Sequence, residues 1–461
     1  MRTTALLIPL DRAAATPLHR QVYRGLREAI LAGRLLPGQA VPSTRALAAE
    51  MELSRNTVQA AFDQLISEGY LEGRVGAGTR VAATLPAELL ARRRAPPSPA
   101  QPRAPRLSRR GMAMAQSAAP SIGAALSGRA FHPGIPAVDA FPFDVWSRYV
   151  ARRLRGCDGR LAGYGDPAGE PSLRESIALH LRTTRAVACE SAQVIVTEGT
   201  QQTLDLIARA VFDEGDALWV EDPGYPGARA AFGSAGLKLV AVPIDAYGID
   251  VAAGRRRSPR ASGVYVTPSH QYPLGGVQSL ARRLELLAWA RESDAWVIED
   301  DYDSEFRFGG HPLASLQGLD EDGRVLYVGT FSKVLFPALR LGYVIVPPAY
   351  AETFARARAA TARCAAAPVQ AALADFMRDG LFAAHLRRMR SIYTERRACF
   401  LEELDRRLRG IAEPRDSGTG LHVTCMLSED VDDCLLARRA REAGVDAPPL
   451  RNYAIEPQPR G

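Results

Sequence analysis

Lysine is nearly missing from this chain. Of its 58 basic residues only Lys238 and Lys333 are lysines, and the rest are arginines. Cysteine pairs are missing too. The six cysteines (157, 189, 364, 399, 425 and 434) form no CxxC and no His/Cys cluster, which argues against a disulfide frame or a structural zinc and fits a reducing cytoplasm. No apolar run approaches the 18 residues of a membrane span. "ALLIPL" near the start runs into Asp11 after six residues, too short for a signal core. What is present, 47% hydrophobic and 24% charged residues over 461 positions, is enough for a large core and more than one domain.

The positive charge is concentrated at the front. Residues 1–82 carry 10 Arg against 7 acids, residues 83–128 carry 7 Arg against Glu88 alone, and the remainder is slightly acidic. That asymmetry suggests a nucleic-acid-facing front end on a nearly neutral body, although a basic linker beside an ordinary domain also accounts for the middle stretch.

Residues 17–82 read as three helices and a hairpin. Leu18, Val22, Leu26 and Ile30 recur at helical spacing and stop at Gly33. After "LPGQAVPS", Ser43 can cap a second helix with Leu47, Ala48 and Met51. Ser54 can cap a third with Val58, Ala61, Phe62, Leu65 and Ile66, closed by Gly69. "YLEGRVGAGTRVA" is a hairpin signal. Helix, helix, tight turn, helix, hairpin is a winged helix-turn-helix. The third helix opens with Arg55, Asn56, Thr57 and Gln59, on the turns that recognition helices present to base edges. Arg74 and Arg80 lie in the hairpin. The stretch from "PLHRQVYRGL" to "GAGTRVA" resembles the GntR-type winged helix-turn-helix over its whole length. The resemblance implies that Ser43, Arg45, Arg55, Asn56, Thr57 and the wing from Gly76 to Arg80 touch double-stranded operator DNA.

Residues 83–128 ("ARRRAPPSPAQPRAPRLSRRG") lack the aromatic and branched residues of a core and read as a disordered, extended basic linker. From 129 to 461, short apolar strands alternate with helical stretches, the signature of an α/β domain with a mostly parallel sheet. The strand candidates are "QVIVT", "ALWVE", "GVYVT", "AWVIE", "VLYVG" and "GYVIV". Ligands of such sheets sit beyond the strands' carboxyl ends.

Those ends are chemically loaded. Glu198-Gly199-Thr200-Gln201 opens a helix, either as a phosphate cradle or as an ordinary helix start. Tyr225 sits on the turn "DPGYPG", where it either covers a planar ring or packs on its neighbours. Asp300 and Tyr302 follow "AWVIE". A carboxylate there needs a positive partner, such as a protonated pyridine nitrogen, an Arg or a helix end. Thr330, Ser332 and Arg340 are phosphate-binding types, and Lys333 lies among them. Arginine cannot be deprotonated or form an imine, whereas a desolvated lysine can do both. In a chain that has all but replaced lysine, Lys333 is therefore a candidate for covalent chemistry. Lys238, in "LKLV", reads as an exposed strand residue.

Together "GYGDPAGEPSLRESI", "TEGTQQTLDLIARAVFDEGD", "EDPGYPGAR", "TPSHQYPLG", "IEDDYDSEF" and "YVGTFSKVLFPALRLGY" resemble the pyridoxal 5'-phosphate (PLP) domain of fold-type I aminotransferases. With the front module, the whole chain resembles a MocR/GabR-type transcriptional regulator. The resemblance makes Lys333 the imine-forming lysine, sets Asp300 against the pyridine nitrogen and Tyr302 against the 3-oxygen, and lays Tyr225 over the ring. Thr200, Gln201, Thr330, Ser332 and Arg340 then surround the phosphate. It also implies a cytoplasmic, domain-swapped head-to-tail homodimer, an amino-compound or PLP effector, and RNA polymerase as a further partner if the protein activates. Two departures stand out. Tyr272 replaces the asparagine of the enzymes' "NPxG", which is closer to the regulators and against efficient transamination. The family also continues past "PQPRG", near where aminotransferases keep their carboxylate-binding arginine, for which Arg460 is the nearest substitute. The rival reading is a working aminotransferase with an accessory DNA-binding domain.

Overall fold

The computed structural model describes residues 9–12, 14–74, 78–83, 107–117, 128–309, 314–415, 417–457 and 460–461. The chain divides into two compact units at Arg106. No helix among the described residues is long and apolar enough to cross a membrane.

In the first unit, α1 (Leu18–Leu31), α2 (Thr44–Glu50) and α3 (Arg55–Ser67) form where the apolar spacing placed them. Ser43 and Ser54 cap α2 and α3 by accepting from the backbone N–H of Ala46 and Thr57, each at 3.1 Å. Val22, Leu26, Leu47, Val58, Phe62 and Leu65 are buried together; Ile66, expected on the apolar face, is 40% exposed. The hairpin pairs β1 (Leu71–Arg74) antiparallel to β2 (Gly78–Val81), and Ala40 bridges to Arg80 across its outer edge. Gly69, in the left-handed region at φ 74°, ends α3 and turns the chain into β1.

The second unit carries an eight-stranded mixed sheet. In chain order its strands are β3 (Val194–Thr197), β4 (Ala217–Asp222), β5 (Lys238–Asp245), β6 (Gly248–Ile249), β7 (Gly263–Val266), β8 (Trp296–Asp301), β9 (Val325–Thr330) and β10 (Gly342–Ile345). They lie in the order β3-β10-β9-β8-β7-β4-β5-β6. β4, β5, β7, β8 and β9 pair in parallel, while β10 runs antiparallel to both its neighbours and β6 folds back on β5. All six strand candidates are strands, and Lys238 is exposed at the start of β5. The inner strands are buried on both faces, which is why they read as continuous apolar runs rather than alternating ones. One face packs Ile195, Leu204, Ile207 and Ile298; the other packs Val264, Val297 and the stacked pair Trp219–Trp289.

The stretch read as linker differs in part. Residues 84–106 and 118–127 lie outside the described residues, but Arg109–Ser117 is a helix belonging to the second unit. Arg110 pairs with Glu214 at 2.7 Å. The helix lies against the helix Pro226–Ser234, with Met112 and Met114 exposed. At the carboxyl end, β11 (Ala412–Arg415) pairs with β12 (Thr424–Leu427), followed by a helix, Asp433–Glu442.

Candidate functional site

The first unit presents the start of α3 to solvent. Arg55 and Asn56 are exposed, and neither side chain has a partner among the described residues. Thr57 shares its hydroxyl with Ser54 at 2.8 Å, and Gln59 donates to Asp63 at 2.8 Å. Ser43 is committed to its cap, Arg45 is exposed, and Arg80 donates to the Gly38 carbonyl at 3.1 Å. The backbone of Arg74 ends β1; Gly76 lies outside the described residues.

In the second unit, the exits of β3, β4, β7, β8 and β9 converge. β8 shows how the fold sorts four neighbouring acids. Side chains alternate along a strand, so Asp300 shares the face of Ile298 while Glu299 and Asp301 point to the other. Asp301 is neutralised by Arg185 at 2.8 Å, with Ser304 and Tyr327 donating to it. Glu299 caps a short helix by accepting from the backbone N–H of Leu316 and Gln317, each at 2.9 Å. Asp303 accepts from His270 and from the Leu421 N–H, both at 3.0 Å. Asp300 has no cation in contact. Its Oδ2 accepts from Tyr265 at 2.7 Å, and its Oδ1 is buried without a partner. Burial pushes the Asp300 carboxyl up to about 7, against the Tyr265 hydrogen bond that lowers it.

Lys333 lies half-buried just past β9 and donates to the Gly134 carbonyl at 2.7 Å. Desolvation pulls its pKa down; Asp303 and Asp300 oppose that pull. A Cβ on Gly134 would come within 2.8 Å of Nζ, so glycine is what permits this approach. Gly199 leads into the helix Thr200–Val211, and a Cβ there would lie 3.4 Å from the Arg340 guanidinium. Arg340 is held in the left-handed region at φ 51°, a conformation an arginine adopts at a cost of about 1 kcal/mol. Its guanidinium has no protein acceptor among the described residues. Thr330 and Ser332 flank this corner, with the Ser332 N–H donating to the Thr330 hydroxyl at 3.2 Å. The free amides of Thr200 and its neighbours, a guanidinium and two hydroxyls make a cradle for a dianionic phosphate. The Gln201 side chain is turned to the Gly227 carbonyl at 2.9 Å, which leaves its backbone N–H as the group available there.

Tyr225 begins the next helix, Pro226–Ser234, edge-on to Tyr272 at 5.6 Å between centroids. Tyr302 is 5.8 Å from the other side of Tyr272. Burial raises the phenol pKa of Tyr225 and, more strongly, of Tyr302.

The structure brings together Thr200, Tyr225, Asp300, Tyr302, Thr330, Ser332, Lys333 and Arg340, and adds residues that sequence reasoning left out. His270 and Asp303 form a buried pair. The His422 ring lies 4.3 Å from that of His270, tilted by 39°. Tyr272 hydrogen-bonds Tyr453, which is brought in by the strap Leu450–Tyr453. That strap is latched by Asp222, whose carboxylate accepts from the N–H groups of Ile455 and Glu456 at 2.7 and 2.9 Å. His270 and Asp303 sit inside "TPSHQYPLG" and "IEDDYDSEF", so a signal was there. Nothing local marks Gly134, His422 or Tyr453, which come from distant parts of the chain. Arg460, the candidate carboxylate binder, is exposed with its guanidinium on the Glu429 and Val431 carbonyls.

Residues 18–81 match the bacterial regulatory proteins of the gntR family, and residues 138–442 match aminotransferase class I and II. Among solved structures, the α-aminoadipate aminotransferase LysN of Thermus thermophilus, complexed with N-(5'-phosphopyridoxyl)-L-leucine, aligns with TM-score 0.68 at 29% identity. It covers 75% of this chain and 88% of that one. The architecture is thus a gntR-type DNA-binding module joined to a PLP-dependent domain of the class I and II aminotransferases, the make-up of a PLP-dependent transcription regulator. The chain belongs to the MocR/GabR-type family of such regulators. It is 44% identical, over 99% of its length and 91% of the relative's, to the probable rhizopine catabolism regulatory protein MocR of Rhizobium meliloti. It is 32% identical, over 97% and 91%, to the pyridoxine biosynthesis regulator PdxR of Corynebacterium glutamicum.

The orphaned Asp300 oxygen and the Gly199–Arg340 cradle fit PLP, whose pyridine N–H and phosphate are the groups they lack. The raised carboxyl has a measurable consequence. Because the folded pKa of Asp300 lies above its unfolded value near 3.9, the folded state binds more protons between about pH 4 and 7, and stability falls as pH rises through that window. Asp300→Asn, which keeps an acceptor for Tyr265, is expected to relieve this in cofactor-free protein. Its advantage in thermal unfolding should grow from pH 5 to 8, to on the order of 3 kcal/mol at most. A pH-independent gap would contradict the assignment.

Proposed function

We propose that this regulator binds operator DNA through the start of α3 and the hairpin, and that Lys333 reads an amino compound, or PLP itself, through its cofactor. The carrying observation is the pairing of one lysine of lowered pKa with one buried carboxylate that has no cation. When bound, PLP supplies an aldehyde carbon at which Lys333 and a ligand amine can exchange. The chain's own residues do the rest. Asp300 accepts from the pyridine N–H, Tyr302 faces the 3-oxygen, Tyr225 lies over the ring, and Thr200, Thr330, Ser332, Arg340 and the Gln201 backbone hold the phosphate. Desolvation keeps the Lys333 amine closer to its neutral, nucleophilic form.

Exchange also gives a signal a route. Lys333, once released, can make the hydrogen bond seen here to Gly134, in the segment through which the chain enters the large unit. A ligand shifts such an equilibrium only by its differential affinity for the two arrangements. We read the protein as a cytoplasmic head-to-tail homodimer that offers two winged modules to repeated half-sites, with RNA polymerase as a partner if it activates. Transamination is at most a residual half-reaction. Tyr272 stands where the enzymes carry asparagine, and Arg460, the nearest substitute for their carboxylate-binding arginine, is engaged by backbone carbonyls. Borohydride reduction of the purified protein should add a phosphopyridoxyl mass to the peptide carrying Lys333. An unmodified peptide would remove the basis of the proposal.

A further inference from the structure

Behind Tyr302 lies a histidine that the cofactor reading leaves without a task. His270 is 2% exposed and Asp303 1%. The His270 Nδ1 lies 3.0 and 3.3 Å from the two Asp303 oxygens and 3.0 Å from the Tyr302 hydroxyl. A carboxylate only accepts, so Asp303 fixes the proton on Nδ1. Nε2, buried and without a partner, is then the bare nitrogen. The Tyr302 hydroxyl lies within reach of the Nδ1–H on one side and gives its one proton to the His270 backbone carbonyl at 2.9 Å on the other, the proton it would turn to the 3-oxygen when the cofactor binds. The ring itself is clamped. A Cβ on Gly420, at φ 73°, would fall 1.8 Å from Nδ1, and one on Gly275 would lie 3.4 Å from Nε2. His422 lies against the ring at a tilt of 39°, with its own Nε2–H given to the Pro273 carbonyl at 2.9 Å. Two glycines and this second ring restrict His270, whose Nδ1 is aimed at Tyr302.

We infer that His270, locked by Asp303, is a positioning residue that holds the Tyr302 hydroxyl in the place from which it meets the cofactor's 3-oxygen, and so sets the pH at which the Lys333-linked chromophore titrates. This rests on the cofactor reading above. While the linkage is protonated, its proton neutralises the negative 3-oxygen; once that proton leaves, the oxygen depends on donors from the protein. A well-placed Tyr302 therefore lowers the midpoint, and a loosened one lets it rise. The other titratable groups facing this corner are Asp300, Glu221, Tyr272, His422 and Lys333. His422 is pulled down to about 3 by burial and by His270, so it stays neutral across the working range.

The test is a pH titration of the visible absorbance of the full-length holoprotein. His270→Ala should raise the midpoint by roughly half a unit or more, in the direction of Tyr302→Phe. His270→Asn, whose side-chain amide occupies the place of Nδ1, should restore it towards wild type; His270→Gln, which reaches the place of Nε2, should not. In a Tyr302→Phe background His270→Ala should add nothing, since it acts through that hydroxyl. The inference is overturned by a wild-type midpoint in both His270→Ala and His270→Gln, by an Asn variant as shifted as Ala, or by an undiminished shift in the Phe background. The Gln and Asn comparison stands even if the Ala variant does not fold. Wild-type protein with no visible band would overturn the cofactor reading and this inference together, whereas a normal band that ignores His270 overturns the inference alone.

Discussion

Lys333→Ala is expected to abolish the visible absorbance of the purified protein, weaken PLP binding by about a hundredfold or more, and leave DNA affinity unresponsive to amines and PLP. The size of the effect follows from what is lost. Among the described residues Nζ makes one hydrogen bond, to the Gly134 carbonyl, worth only about 1 kcal/mol. Folding should therefore survive, and circular dichroism should match wild type. The covalent linkage has no substitute, because no other lysine lies in the unit's interior; Lys238 is exposed at the edge of β5. Lys333→Arg sharpens the test. It keeps the positive charge but cannot condense with an aldehyde, so it should fail as completely as alanine. Full absorbance in either variant, or a response to amines that outlives the band, would show that Lys333 is an ordinary cation.

The second large effect is on DNA. Arg55→Ala with Asn56→Ala should weaken operator binding by about tenfold to a hundredfold per lost contact, without lowering the unfolding temperature. The two effects separate because both side chains are exposed and, among the described residues, unpartnered, whereas the cap of α3 belongs to Ser54 and its core to Val58, Phe62 and Leu65. Binding measured at several salt concentrations adds a second readout. Affinity should fall steeply with salt, and each lost phosphate contact should reduce the slope of log affinity against log salt by about 0.9. A salt-insensitive wild type, or a double variant that binds as tightly as wild type, would move the interface away from α3.

Much of this was open to reading along the chain. Helix caps, the hairpin turn and apolar runs are local, so Ser43, Ser54, Gly69 and the six strands could be located from neighbours alone. The lysine could be singled out because the composition around it is so one-sided. The basic stretch misled at Arg109–Ser117, where a short helix lies beside the helix Pro226–Ser234 yet has the composition of a linker. Its helicity depends on that neighbour, since a nine-residue helix is marginal alone in water.

The sequence by itself determined which residue types stand at the strand ends and how the two units are ordered. Only the tertiary structure decided what each of them does. In "IEDDYD" four carboxylates look alike on paper, but pleating and packing give Asp301 an arginine, Glu299 a helix start and Asp303 a histidine, and leave Asp300 buried with an oxygen unmet. The same holds for Gly134 with Lys333, and for His270 with Gly420 and His422, which lie far apart in the chain and meet only in the fold. A side chain's charge state is set by what surrounds it in space, and spatial neighbours remote in sequence leave no mark on the local pattern.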